Sequence, residues 1–257
     1  MNDIIQLIIF TIAGILHGIT GMGFPMIGTS ALSFSLPLSQ AVAIVAIPSL
    51  LMSLLVLCSN NKQGIWRELT DYLHQYKLLA ITSVIGGIIG VKLLLILPVA
   101  YLYLMMAVVT VYYAAHGLLT LMNKAKPLTV STGKLSMSLF GLAAGMVGGA
   151  TNAMSPILLI YLFSKTDDKT TIAKASNLCY LLGKVVQVVM LWGQYAAFDQ
   201  RQYTLLRLLT IVSMLGLFGG IWLRAYISGT VFKLMIYLIL LILALKIGHT
   251  GIIKFGI

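Results

Sequence analysis

Two stretches of the chain place glycines, a proline and small polar residues inside otherwise apolar sequence: GILHGITGMGFP at 14–25 and GLAAGMVGGATNAMSP at 141–156. Where a helix breaks in an apolar environment, the N–H groups that open its second half have no intrahelical partner and carry a partial positive charge. Glycine lets the backbone turn and lets a ligand approach it, and proline at the start of the new half-helix removes a donor that would otherwise be orphaned. The chemistry such a break suits is the holding of an anion. Thr20, Gly21 and Gly23 in the first stretch, and Gly148, Gly149, Thr151, Asn152 and Ser155 in the second, are the candidate binding residues, since hydroxyl and amide groups suit oxyanions. Close helix packing is the competing use of Gly14-x-x-x-Gly18 and Gly141-x-x-x-Gly145. Two matching breaks tip the balance toward binding, because paired discontinuous helices at a repeat interface characterise transporters.

Lys184 is the most informative single residue. It sits deep in the apolar segment 171–193, within LLGKVVQVV, where a charge costs about 2.5 kcal/mol or more even on mild scales. All six acidic residues (Asp3, Glu68, Asp71, Asp167, Asp168 and Asp199) fall in loops or near segment ends, so a bound anion is the expected counter-charge. Gln187 lies one helical turn further along the same face and Asn177 two turns before. His17, just ahead of the first break, can bind an anion when protonated or accept a proton during transport. These twelve residues form the candidate substrate site; no metal ligands, cofactor or catalytic set are expected.

Binding groups of this kind need a membrane scaffold, and the composition supplies one. Of 257 residues 60% are hydrophobic and only 9% charged, where a soluble domain has about a quarter charged. A soluble enzyme, a DNA-binding domain and a disulfide scaffold are disfavoured. The net charge of +11 reads as membrane topology and contact with anionic lipid, because the lysines and arginines cluster between apolar runs. Nucleic-acid binding would need a solvated basic face. Cys58 and Cys179 read as thiols used as small hydrophobes, and MNDIIQLIIF as the start of a membrane segment, not a cleaved signal. The three tryptophans and Tyr101, Tyr103, Tyr112 and Tyr113 read as interface anchors. No phosphate loop, dinucleotide fingerprint or nucleophile triad is present, so the chain is not expected to be an enzyme.

Apolar runs at 4–36, 39–58, 76–97, 99–122, 134–163, 171–193, 203–226 and 229–249 predict an all-α polytopic membrane protein of about eight helical segments. The first and fifth are broken at their glycines. Gly14, Gly18 and Gly21 match Gly141, Gly145 and Gly148; Ala41 and Ala43 match Ala173 and Ala175; Gly86 and Gly90 match Gly216 and Gly220, in the same order and at nearly constant spacing. The chain therefore reads as two four-segment repeats, 1–122 and 134–257, joined by a linker at 123–133. If the broken segments cross the membrane, the repeats are parallel; if they fold back as a V, the repeats are inverted. Inversion puts Lys62, Arg67, Lys77, Lys124, Lys126, Lys134, Lys165, Lys169, Lys174, Arg224 and Lys233 on one side, against Lys92, Arg201, Arg207, Lys246 and Lys254. That is the better fit to the positive-inside rule, and it leaves both termini outside the cytoplasm.

The paired glycine-rich breaks, the Ala-rich helix after each and the Gly86/Gly90 and Gly216/Gly220 pairs resemble the sulfite exporter TauE/SafE family of membrane permeases over nearly the whole chain. The first break departs from the family pattern at Phe24-Pro25, and the second at Ala150-Thr151-Asn152. The resemblance implies an inner-membrane secondary carrier of sulfur-containing or organic anions such as sulfite or sulfonates. Alternating access would come from one repeat moving against the other, with proton coupling through His17 or Lys184. Its partners would be a small anionic substrate and the lipid bilayer, and a homodimer if it self-associates. Transport of a metal cation or neutral metabolite, or a non-transporting scaffold, are the alternative readings.

Overall fold

The computed structural model describes residues 3–33, 35–59 and 64–255. Lys62 and the side chain of Lys254 lie outside the described residues. Those residues form helices and no strands: α1 (Asp3–Thr20), α2 (Phe24–Leu32), α3 (Leu38–Leu57), α4 (Ile65–Ile96), α5 (Val99–Leu121), α6 (Lys134–Thr151), α7 (Ser155–Lys165), α8 (Lys169–Met190), the short α9 (Trp192–Ala196), α10 (Gln200–Arg224) and α11 (Gly229–Phe255). Among the described residues five stretches are long and apolar enough to cross a membrane: Leu38–Leu57, Trp66–Ile96, Ala100–Leu121, Gln200–Arg224 and Gly229–Ile253. The expected eight membrane segments are thus matched by five. The broken pairs are divided into shorter pieces, and α8 dilutes its apolar sequence with buried Lys174, Asn177, Lys184 and Gln187.

Ile81, Ile85 and Ile89 of α4 and Ile211, Leu215 and Phe218 of α10 point outward, whereas α3 buries most of its residues and α8 half of its own. An apolar exterior of this extent suits lipid. Trp66, Trp192 and Trp222 are exposed at or near helix ends, but of the tyrosine run only Tyr101 and Tyr112 are exposed. Tyr103 and Tyr113 are buried, correcting their reading as interface anchors.

Both glycine-rich segments are broken. Gly21 and Gly23 hold φ values of 75° and 92°, and the second break turns instead on Asn152, at φ 66°. Only glycine takes these angles freely, with asparagine the usual substitute. Proline stands in the first turn of α2 and of α7, as the orphan-donor argument requires. Each second piece doubles back along the first. Phe24 packs edge-on against Phe10, 5.5 Å between ring centroids, and Tyr161 reaches Phe140 at 6.0 Å.

Helix pairing follows the glycines. α1 runs parallel to α10, with Gly14 facing Ser213 and Gly18 facing Gly220; α4 runs parallel to α6, with Leu79 facing Gly141 and Gly87 facing Gly149. A Cβ on Gly14, Gly18, Gly86, Gly90, Gly145, Gly216 or Gly220 would meet the backbone of the opposite helix. These glycines therefore serve close packing. α5 and α11 run antiparallel, Gly117 lying against Tyr237 and Gly251 against Tyr103 and Leu104. The stretch at 123–133 is not helical and is pinned to α7 by Val130 N–H donating to Ser164 Oγ at 3.0 Å and Tyr161 Oη donating to the Thr132 carbonyl at 3.3 Å.

Helix α4 begins well before its apolar run. Its polar start, Ile65 to Gln75, joins the apolar part through a non-helical Tyr76 (φ −116°, ψ 15°). From that extension Glu68 pairs with Lys174 of α8 at 2.5 Å, and Lys174 is buried. Lys174 and Arg224, assigned above to topology, are thus interior residues, and α8 starts under an Asp168 cap that accepts from the Thr171 N–H at 2.6 Å.

Gly90→Leu should destabilise the protein by about 3 kcal/mol or more, because the Met146 carbonyl occupies the space of its Cβ. Gly219→Ala, on the same kind of helix but with open space at its Cβ, should be neutral or stabilising by up to about 1 kcal/mol. Thermal unfolding of the two detergent-purified variants distinguishes packing glycines from incidental ones.

Candidate functional site

The two breaks are bridged by one face of α8. At its near end Asn177 Nδ2 donates to the Gly21 carbonyl at 2.7 Å and to the Ala173 carbonyl at 2.8 Å, and its Oδ1 lies 3.0 Å from His17 Nε2. Gly21 has no room for a side chain, because Ala173 of α8 packs directly on it. One turn on, Tyr180 Oη and Ser155 Oγ share a hydrogen bond of 2.7 Å at the start of α7. Lys184 then donates to Asn152 Oδ1 and, at 2.7 Å, to Gln187 Oε1. Gln187 Nε2 in turn donates to the Gly148 and Gly149 carbonyls at 3.0 and 3.2 Å and to Asn152 Oδ1 at 2.8 Å. Asn152 closes the network by donating from Nδ2 to Thr29 Oγ1 of α2 at 2.6 Å. All of these side chains are buried.

Nine of the twelve expected residues meet in this network: His17, Gly21, Gly148, Gly149, Asn152, Ser155, Asn177, Lys184 and Gln187. The other three are spent locally. Thr20 donates to the Leu16 carbonyl at 2.7 Å and stitches the first turn through Met22, Thr151 donates to the Val147 carbonyl at 2.7 Å, and Gly23 faces Ile27 and Ile239. A small void lies between the breaks, lined by Pro25, Gly148, Met154, Tyr180, Lys184 and Gln187 among others. Neither α2 nor α7 has a side-chain cap, so their opening N–H groups are left to the backbone and the void. A wider cavity at the 123–133 stretch, lined by Tyr113, His116, Phe163, Lys233 and Tyr237, includes none of the twelve.

Electrostatically the network is one-sided. The partners of Lys184 are neutral amides, and among the described residues no carboxylate pairs with it. A second buried cation stands at the first break, where Arg224 of α10 donates from Nε to the Gly18 and Ile19 carbonyls at 2.9 and 2.8 Å. Its charge complements the negative end of α1. Sequence reasoning missed Arg224 because it closes an apolar run, where a basic residue is ordinarily a topology signal. It missed Tyr180 too, although that residue lies four before Lys184 and so on the same helical face. Among the described residues no group of three His, Cys, Asp or Glu side chains comes together to hold a metal.

An all-helical chain with an apolar exterior and a buried polar site at paired helix breaks is built as a membrane permease is built. The family described as sulfite exporter TauE/SafE matches residues 6–247, and the chain belongs to that family, a family of integral membrane transporters. No curated protein and no solved structure matches it.

Arg224→Met keeps the packing volume but leaves the α1 carbonyls without donors, at about 1–3 kcal/mol for each buried group left unsatisfied. Its unfolding temperature should fall well below that of Arg201→Met, an exposed control in the first turn of the same helix.

Proposed function

We propose that this protein is a secondary permease for small sulfur-containing or organic anions of the sulfite and sulfonate type. One observation carries the reading: Lys184 is a buried basic side chain at the point where both helix breaks meet, held by amides and with no carboxylate paired to it among the described residues. An ammonium in that position is costly unless an anion offsets it. Family membership supports transport, and the void beside Lys184, bounded by the open end of α7, supports an oxyanion as cargo. The void is too small for a sulfonate in the state described, so loading requires the two breaks to separate.

The same proposal reads the chain as inverted repeats, 1–122 and 134–257, in a bacterial inner membrane. Three features support inversion. Both broken segments fold back, α1 pairs with α10 as α6 pairs with α4, and α5 meets α11 antiparallel. A two-fold operation that exchanges antiparallel helices has its axis across them, in keeping with inverted repeats related by an axis in the membrane plane. Transport then proceeds by alternating access around the breaks. His17 and Lys184 are the titratable groups through which protons would couple to it.

Thermal-shift titration of the purified protein with sulfite, thiosulfate, taurine and sulfoacetate, alongside carboxylates and divalent cations, tests the substrate class. A bound anion at 100 times its dissociation constant should stabilise the fold by about 2.7 kcal/mol. Lys184→Gln should lose that stabilisation and anion-dependent flux in proteoliposomes. Stabilisation by divalent cations alone, or unchanged flux in the variant, would overturn the proposal. For the topology, a C-terminal reporter should be active outside the cytoplasm; activity confined to the cytoplasm would refute the inverted arrangement.

A further inference from the structure

The hydrogen bonds around Asn177 fix more than its own orientation. Its Nδ2 donates to two backbone carbonyls, Gly21 and Ala173, so the atom turned toward His17 is the amide oxygen. An amide oxygen only accepts. The hydrogen on that bond therefore belongs to His17 Nε2. The other ring nitrogen, Nδ1, is buried in a fully enclosed residue and has no hydrogen-bond partner. A neutral imidazole in this tautomer presents a bare lone pair, which is an empty seat for one proton.

The surroundings decide when that seat is filled. From α10, Arg224 stands on the Gly18 and Ile19 carbonyls, the next two residues along α1, and on α8 Lys184 lies two turns beyond Asn177 on the face that meets His17; α2 carries no charged residue. Phe24 of α2 sits edge-on at 6.3 Å between ring centroids, and Tyr180 of α8, which also lines the void, lies at 6.3 Å. Among the described residues no carboxylate stands beside this ring, so a proton at Nδ1 has no counter-charge while the void is empty. An anion in the void reverses the local balance of charge. Anion and proton then favour each other reciprocally, as linkage requires.

We infer that His17 is the proton-binding residue of this permease and that one proton is taken up at Nδ1 when an oxyanion occupies the void beside Lys184. The inference rests on the anion-permease reading above and adds the identity, tautomer and stoichiometry of the coupling group. Uptake involves no covalent change: a proton from water joins the Nδ1 lone pair, the Nε2–H bond to Asn177 is kept, and the bound anion balances the charge gained. Because Asn177 also holds the Gly21 carbonyl, the protonated ring remains tied to the first break.

The test uses thiosulfate and methanesulfonate, whose own charges do not change between about pH 6 and 8, where histidine titrates. Calorimetric titration of the full-length protein in two buffers of different ionisation enthalpy counts the protons. The expected result is uptake approaching one proton per anion. Affinity should weaken by up to about tenfold per pH unit as the pH rises, because the bound form holds the extra proton. His17→Gln, whose amide can still donate to Asn177, should lose the uptake and the gain in affinity at low pH. Lys184→Arg carries a fixed charge and should keep the uptake in whatever binding it retains. Binding without proton uptake, with proton release, or with uptake that persists in His17→Gln overturns the assignment. So does uptake that vanishes in Lys184→Arg while binding persists, which would place the proton on Lys184. Failure of the wild type to bind either probe overturns the anion reading itself and this inference with it.

Discussion

Every helix broken inside a membrane leaves carbonyl oxygens that no water can reach, and the rest of this structure is arranged around satisfying them. Arg224 takes the Gly18 and Ile19 carbonyls, Asn177 takes Gly21, and Gln187 takes Gly148 and Gly149. Each donor comes from a helix other than the one it serves. The breaks are therefore not local irregularities but junctions, and one of the side chains that hold them, Gln187, also lines the void. Lys184, Asn152 and Gln187 form a closed set in which each group orients the next. Polar networks of this kind are costly when only partly satisfied, which ties the conformation of the site to its occupancy.

The polar investment is uneven. On the alignment that pairs Ala41 with Ala173, the α3 helix has Pro48 where α8 has Tyr180, and its buried Ser49 and Ser53 hydroxyls lack hydrogen-bond partners. α8 alone supplies Lys184, Gln187, Asn177 and Tyr180. The N-terminal elements contribute His17, which donates to the Asn177 amide oxygen, and Thr29 and the Gly21 carbonyl, which accept from Asn152 and Asn177. A near-symmetric scaffold thus surrounds an asymmetric site. Two identical charged helices would place two uncompensated lysines at the centre, at a cost that one anion could not offset.

Much of this was legible in the residues because the breaks violate local rules. Glycine clusters followed by proline in apolar sequence, and a lysine with no acid at its depth, have few explanations in a membrane. The positions of the broken helices, and the gathering of nine of the twelve named residues around them, follow from that logic. What was not legible is contact between distant segments. Thr20 and Thr151 carry hydroxyls as suitable as that of Ser155, and only the fold shows them turned back on their own helices. Arg224 looks like a topology charge because its role depends on α10 lying beside α1, a pairing set by glycine spacings that appear equally in α4 and α6. Similarly, the Glu68 to Lys174 pair joins residues assigned separately to loop and segment end, because α4 extends past its apolar run.

The glycine pairings also constrain how the permease can move. If each repeat were a rigid body rocking against the other, α1 would have to slide along α10, and α6 along α4. Those are the two interfaces where backbone meets backbone without side chains between them. Interdigitated contacts of this kind resist sliding, since any shift drives carbonyls into Cα atoms before it opens a gap. The bodies that can move intact are therefore the glycine-packed pairs, α1 with α10 and α4 with α6. The softer joints are the side-chain contacts that α8 makes with both breaks. Separating the pairs would pull Asn152 from Thr29 while leaving Lys184 and Gln187 with α6, and would widen the void beside them. Any such opening between the glycine-packed pairs would be taken up by α8, whose hydrogen bonds reach both breaks.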